Sequence, residues 1–337
     1  MENKIKTGLL SFGMSGQLFH APFVNAHDGF ELTAVVERSK KQAHESYPEI
    51  KSYDSVDVLL EDDTIELIIV NTPNATHFDF TLKALQKGKH VLTEKPFTIT
   101  PDQAKQLFEA AKKNGRYALP YQNRRFDSDF LSVKNVLDSG KLGKLVEVHF
   151  RFDRYNLAIG PKAGMETPVP GAGLLYDLGP HILDQVISMF GIPLSWTKTL
   201  GHFRPGTQVD DYGHIHLTYP DELQVFVTTS LLVADTKPAF VLNGTKGSFI
   251  KQRADIQEEQ LLDAMSPKNP LYGIEENDQE GLLITIAEDG TKKSEKILSD
   301  KSSYLNMFDA VYETLRNEKP YPVTQEQVIT QLEILNG

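Results

Sequence analysis

The chain has 337 residues, enough for about two domains and a full hydrophobic core. With 40% hydrophobic and 24% charged residues, 23 Gly and 18 Pro, it is composed like an ordinary soluble globular protein, which excludes disorder as the main state. A net charge of −11 argues against binding nucleic acid, and zero cysteines exclude disulfides, Cys-ligated metal and a cysteine nucleophile.

The first 122 residues alternate strand and helix signals. Residues 5–10, 30–37, 66–71, 90–93 and 117–121 read as strands. The run 66–71 is apolar and β-branched, as in a parallel strand buried on both faces. Asn74 is placed to cap a helix that stops at Gly88. Thr100-Pro-Asp-Gln103 is a capping box with proline in the first turn. It opens a helix that places Ala104, Leu107, Phe108 and Ala111 on one face. This alternation predicts right-handed βαβ crossovers and a doubly wound parallel sheet. After residue 122 the pattern changes. A helix over 127–139 precedes a long strand over 144–155, a Gly- and Pro-rich loop over 156–173 and a helix ending at Phe190. Residues 195–252 are mostly strand, 265–281 a surface loop. Two strands and two helices close the chain, the last helix opened by Thr324-Gln-Glu-Gln327. The expected fold is α/β: a dinucleotide-binding domain over 1–122 and an α+β domain over 123–337. No apolar run approaches the roughly 18–20 residues that span a bilayer. The apolar stretch after Lys4 and Lys6 is broken by Ser11, Gly13, Ser15 and Gly16, unlike a signal peptide. A cytoplasmic protein with no membrane partner is the expectation.

The first strand runs into Ser11-Phe12-Gly13-Met14-Ser15-Gly16. This is a dinucleotide fingerprint with serine for its first glycine, so a looser turn is expected. Gly13 would let the backbone approach a pyrophosphate, and Gly16 would let the helix pack on the sheet. Phe12, Met14 and Ser15 complete the expected cradle. Glu37 ends the second strand, where a carboxylate accepts from a ribose 2′-hydroxyl and repels a 2′-phosphate. Arg38 follows it and pulls the other way, since arginine pairs with phosphate. The balance falls on NAD over NADP, with dual use open. Asn71, Thr72, Pro73 and Asn74 end one strand and Glu94-Lys95-Pro96 another, at the edge where open α/β sheets bind ligands.

In the second domain Asp177 and His181 lie four apart on one helix face, a carboxylate beside a natural proton carrier. Pro180 is placed in that helix's first turn. Arg124 and Tyr155 either touch substrate or serve structure. His214 and His216 share a strand face, but no third ligand is spaced to join them, so no metal is expected.

Taken in order, the Ser11–Phe23 stretch, Asn71-Thr-Pro-Asn, Glu94-Lys95-Pro96, Gln122-Asn-Arg-Arg-Phe and Asp177-Leu-Gly-Pro-His181 resemble the Gfo/Idh/MocA oxidoreductases, nearest the scyllo-inositol dehydrogenase branch. The resemblance covers residues 5 to about 325. It implies a Rossmann domain followed by a large open sheet whose face makes a homodimer or homotetramer. It implies Lys95, Asp177 and His181 as the catalytic set, and Thr72, Asn74, His77 and Glu94 along the cofactor. The implied reaction moves a hydride between NAD or NADP and a secondary hydroxyl of a sugar, inositol or other polyol. Two alternatives stay open: an NAD-dependent glycoside hydrolase of the same fold, and a catalytically silent cofactor-sensing regulator.

Overall fold

Alternating apolar runs and helices give the first half of the chain a six-stranded sheet. The strands are β1 (Ile5–Leu9), β2 (Phe30–Val36), β3 (Lys51–Tyr53), β4 (Leu67–Val70), β5 (His90–Thr93) and β6 (Ala118–Pro120). All pair in parallel in the order β3-β2-β1-β4-β5-β6. Every residue of β4 is buried, as its unbroken apolar run requires. Strand order reverses direction between β1 and β4, and ligands of such sheets bind beyond the carboxyl ends at that point. The predicted capping box at Thr100 is present with both its bonds, opening the helix Pro101–Lys113. The computed structural model describes residues 4–160 and 166–337. Part of the 156–173 loop, residues 161–165, therefore lies outside the described residues.

The second sheet has eight strands: β7 (Leu145–Asp153), β8 (Ser195–Gly201), β9 (Tyr212–Thr218), β10 (Gln224–Ser230), β11 (Phe240–Gly244), β12 (Gly247–Lys251), β13 (Gly281–Ile286) and β14 (Lys292–Ile297). Their order is β14-β13-β12-β11-β7-β10-β9-β8. Only β7 and β10 run parallel. The helices Ser128–Asp138 and Leu174–Phe190 pack on this sheet. Along β7 the residues Val148, Phe150 and Phe152 are buried, whereas Glu147, His149, Arg151 and Asp153 alternate with them, half-exposed. The register carries one row across the open face: Thr197, His216, Phe226, His149, Val241, Ile250, Leu282 and Lys296. The rings of His216 and His149 stack on Phe226 with centroids 4.6 and 5.0 Å away.

The compact units are not the two contiguous segments expected. One comprises Met1–Asn123 with Glu258–Tyr272 and Ser303–Ile329; the other comprises Arg124–Gln257, Gly273–Ser302 and Thr330–Gly337. Distant packing explains the difference. The helix Leu305–Asn317 stacks Phe308 flat on Phe23 at 5.8 Å and pairs Arg316 with Glu66. Tyr321 donates to the Pro120 carbonyl. Among the described residues no helix is long and apolar enough to cross a membrane.

Candidate active site

In the first unit, β1 delivers Ser11–Gly16 to the carboxyl edge of the sheet. The Asn71 side chain, just past β4, grips Ser11 in both directions. It accepts from the Ser11 N–H at 3.0 Å and donates to its carbonyl at 2.9 Å. Ser11 Oγ also accepts from the Gly13 N–H at 3.2 Å. The looser turn expected from serine is therefore not found; side chains pin what glycine would only permit. A Cβ on Gly16 would lie 2.4 Å from the Ser11 carbonyl oxygen, so no larger residue fits. At Gly13 a Cβ would meet only Ser11 Oγ, at an ordinary 3.5 Å. Nothing in the protein's own packing demands glycine there, which suits a position kept bare for a ligand backbone approach.

Phe12, Gly13, Thr72, Pro73 and residues 37–40 line a cleft of about 620 Å³. A second hollow of about 690 Å³ touches Phe12, Gln42 and Lys268, but none of its lining residues ends a strand. The first is therefore the candidate nucleotide site. Glu37 is spoken for within it. Its Oε1 accepts from the Gln42 and Ala43 N–H groups at 2.7 and 3.1 Å, and its Oε2 accepts from Ser52 Oγ at 2.7 Å. The carboxylate thus caps the short helix Ala43–Ser46. Arg38, Ser39 and Lys40 also line the cleft. Lys41 is turned to Asp54 at 2.7 Å. Met14 is exposed.

Beyond β4, Thr72 Oγ1 bonds Thr76 Oγ1 at 2.6 Å, and Asn74 begins a short 3-10 turn that precedes the helix His77–Gln86. His77 is buried between two carbonyls, with Nδ1 2.7 Å from Pro96 O and Nε2 2.8 Å from Thr72 O. Burial pushes its pKa down while the two carbonyls pull it up, and burial prevails. A neutral ring has one N–H, so it donates to one carbonyl at a time. His77 ties the two loops together from beneath. Glu94 and Lys95 follow β5 directly, both half-buried. Burial works to raise the Glu94 pKa; the bond and charge of His20, the Lys95 charge and Ser15 outweigh it and hold the carboxyl down at about 2.

In the second unit, the helix Leu174–Phe190 carries Asp177, half-buried, and His181, buried, one turn apart on one face. Pro180 is its seventh residue, not in its first turn. The helix begins earlier than the local pattern shows because Asp210 caps it from a distant loop, accepting from the Leu175 N–H at 2.7 Å. Gly173 makes room for that cap. Its φ is +91°, and a Cβ there would lie 2.0 Å from Asp210 Oδ1. One turn beyond His181, Asp184 is held by Arg125 in a two-pronged pair at 2.6 and 2.7 Å. Arg124 is buried and grips Asp255 at 2.7 and 3.1 Å and Asp127 at 3.1 Å, the structural alternative for this residue. Tyr155 is 60% exposed and bridges to Leu232. A hollow of about 270 Å³ is lined by Asp177 together with Arg154, Asn156, Glu166, Arg204 and Asp210. The 156–173 loop thus does reach Asp177, through Asn156, Gly160, Glu166 and Gly173.

Sequence reasoning missed the Asn71 clamp, the Asp210 cap and His20. Each acts across sequence separations that no local pattern reports. Among the described residues no three His, Asp or Glu side chains gather to hold a metal ion.

The model of the oxidoreductase family with an NAD-binding Rossmann fold matches residues 5–121, and that of the GFO/IDH/MocA C-terminal domain matches 130–250. An uncharacterized oxidoreductase of Schizosaccharomyces pombe is 37% identical, over 99% of this chain and 96% of its own. The scyllo-inositol 2-dehydrogenase (NADP(+)) IolW of Bacillus subtilis is 32% identical, over 99% and 92%. The solved structure of the oxidoreductase yvaA from Bacillus subtilis superposes with a TM-score of 0.95 at 31% identity, covering 100% of this chain and 95% of that one. With its six parallel strands, its bare Gly13 and its cleft at the strand ends, the chain belongs to the Gfo/Idh/MocA family of oxidoreductases and carries that family's nicotinamide-cofactor-binding Rossmann unit.

Proposed function

We propose that the protein is an NADP-preferring dehydrogenase acting on a secondary hydroxyl of an inositol, sugar or related polyol. The observation that carries the cofactor half is the state of Glu37. Its carboxylate is occupied by three donors of its own chain, whereas Arg38 and Lys40 line the same cleft. The 2′-phosphate therefore finds cations there rather than a free carboxylate, which reverses the expectation of NAD. Gly13, Gly16 and the backbone N–H groups of that turn would hold the pyrophosphate.

The bound nicotinamide supplies or takes the hydride. His181 accepts the substrate hydroxyl proton on oxidation and returns it on reduction. Lys95 donates a hydrogen bond to the same oxygen as charge develops. Asp177, one turn before His181, orients the imidazole or a neighbouring hydroxyl. The polyol class rests on the inositol dehydrogenase among the relatives. A panel of inositols and sugars with both cofactors, followed by nicotinamide absorbance, tests the reading. Turnover of a polyol with higher kcat/KM for NADP supports it; no turnover, or a clear preference for NAD, overturns it.

The open face of the second sheet is proposed as the contact with a second copy of the chain. Its row of stacked rings and aliphatic side chains crosses the six inner strands, with Thr197 and Lys296 at the ends. Light scattering that finds only monomer at every concentration would refute this.

A further inference from the structure

We propose that His20 is a positioning residue for the cofactor: it holds the Glu94 carboxylate fixed at the end of β5, beside Lys95, so that Glu94 accepts hydrogen bonds from the hydroxyls of a bound dinucleotide. The proposal rests on the nicotinamide-cofactor reading above and gives a role to a buried side chain that the reaction itself does not use.

The local chain explains how His20 gets there. Pro22 lacks an N–H, and its ring would crowd the carbonyl four residues back in a regular helix. The helix meets this with a π turn over Gly16–His20, in which the Ala21 N–H reaches back five residues to the Gly16 carbonyl. The wider turn rotates His20 inward, where it is fully buried. Its Nε2 lies 2.8 Å from Glu94 Oε1. Ser15 Oγ, just before the π turn, donates to the same oxygen at 2.8 Å, and the Lys95 N–H reaches Oε2 at 3.2 Å. A carboxylate only accepts, so the His20 Nε2 carries the proton between them.

The ring is held from its other side. It packs on Tyr121 with centroids 4.6 Å apart, and the Tyr121 hydroxyl donates to the Phe19 carbonyl at 3.0 Å. Its Nδ1 is buried and meets no hydrogen-bond partner among the described residues. Its one polar contact is therefore Glu94. The Glu94 side chain keeps 14% of its surface exposed, so it is gripped from behind yet still reachable. Other titratable or charged groups around the pair are Lys95, His77 and Tyr121. Of the groups that lower the carboxyl's pKa, His20 contributes most. Without its bond, only Lys95 and Ser15 oppose the desolvation of the carboxyl, and its pKa climbs.

Two amides separate positioning from mere packing. Glutamine can place its Nε2 near that of histidine, whereas the shorter asparagine falls short of Oε1. NADPH binding is followed by its fluorescence from about pH 5 to pH 8, a window in which a displaced carboxyl titrates. The wild type is expected to show over this range only the gentle dependence that the 2′-phosphate, with its second pKa of about 6, itself imposes. His20→Asn should weaken binding about tenfold, the scale of one hydrogen bond to a charged group. It should also lose affinity further as pH falls, because Glu94 then takes up a proton. His20→Gln should restore most of the affinity and the wild-type profile. Asparagine and glutamine variants that bind alike, or an unchanged pH profile in His20→Asn, overturn the proposal. Should His20→Asn fail to fold, Glu94→Gln and His20→Gln decide it: Glu94→Gln must lose about the same tenfold while His20→Gln keeps wild-type binding. A wild type that binds neither cofactor instead refutes the cofactor reading itself.

Discussion

The two sheets bury their residues by different rules. In the first, β4 is apolar and buried at every position, with the helix His77–Gln86 packed on it, and the candidate nucleotide cleft lies at one end of the strands. In the second, β7 alternates from Glu147 to Asp153 and β10 from Gln224 to Val227, one face packed under helices and the other open. There the candidate chemistry lies on the covering helix and the loops that cap it. A two-sided sheet confines its ligand groups to strand ends; a one-sided sheet frees a whole face for other work.

The sharpest separation concerns what each unit does. His181→Ala should lower turnover by roughly 10²–10⁴, the usual range for a general base, while leaving cofactor affinity near wild type. Steady-state rates and NADPH titration of the same preparation check both halves. Turnover within a few-fold of wild type would place the proton carrier elsewhere.

The burial rules themselves are open to test by denaturant unfolding. Ile69→Ala, in a strand covered on both sides, should cost about 2–5 kcal/mol, and Phe150→Ala, on the covered face of β7, about 3–5 kcal/mol. His149→Ala, next to Phe150 but on the open face, should cost about 0.5 kcal/mol or less at low protein concentration. Its bond to Glu147 is a half-exposed surface pair and adds little. A large His149→Ala penalty that grows with protein concentration would mean that a second copy covers the face.

A smaller effect tests the nucleotide end. Arg38→Ala should lower kcat/KM for NADP about tenfold, the scale of one charge-assisted contact, and leave that for NAD almost unchanged. Equal losses with both cofactors would show that Arg38 does not read the 2′-phosphate.

Much of this was legible in the sequence because it is locally encoded. The β4 run, the Thr100 capping box and the Gly13 and Gly16 turn each announce themselves within a few residues. The switch from continuous to alternating patterns separated the two sheets correctly. What stayed hidden depends on partners far along the chain. The start of the Asp177–His181 helix is set by Asp210, so Pro180 was placed too early in it. Glu37 follows β2 and lines the cleft, but Ser52 and the Gln42 and Ala43 N–H groups decide where its carboxylate points. The membership of 303–329 in the first unit follows from Phe308 meeting Phe23.

The smallest effect belongs to the other end of the same strands. His90 begins β5, at the edge opposite Glu94 and Lys95. Its Nδ1 accepts from the Tyr117 N–H at 3.1 Å, and the rings stack at 5.5 Å. Burial, then the Arg116 guanidinium, pushes its pKa down to about 4, with Glu66 pulling the other way. Unfolded, the imidazole returns to about 6.5. The fold therefore favours the neutral ring, and the unfolded chain binds more protons between those values. The stabilisation is whole above about pH 6.5 and is lost as pH falls toward 4. The ring is half-buried, so solvent screening leaves about 1 kcal/mol of it. His90→Asn keeps an acceptor for Tyr117 but does not titrate. It should flatten the decline in stability between about pH 6.5 and pH 4 by that amount, measured as unfolding midpoints across the range. Cofactor affinity should not move, because the substitution lies at the strand end that carries stability rather than ligand. An acid slope identical to that of the wild type would remove His90 from the account; a shift in NADPH affinity would break the division between the two ends.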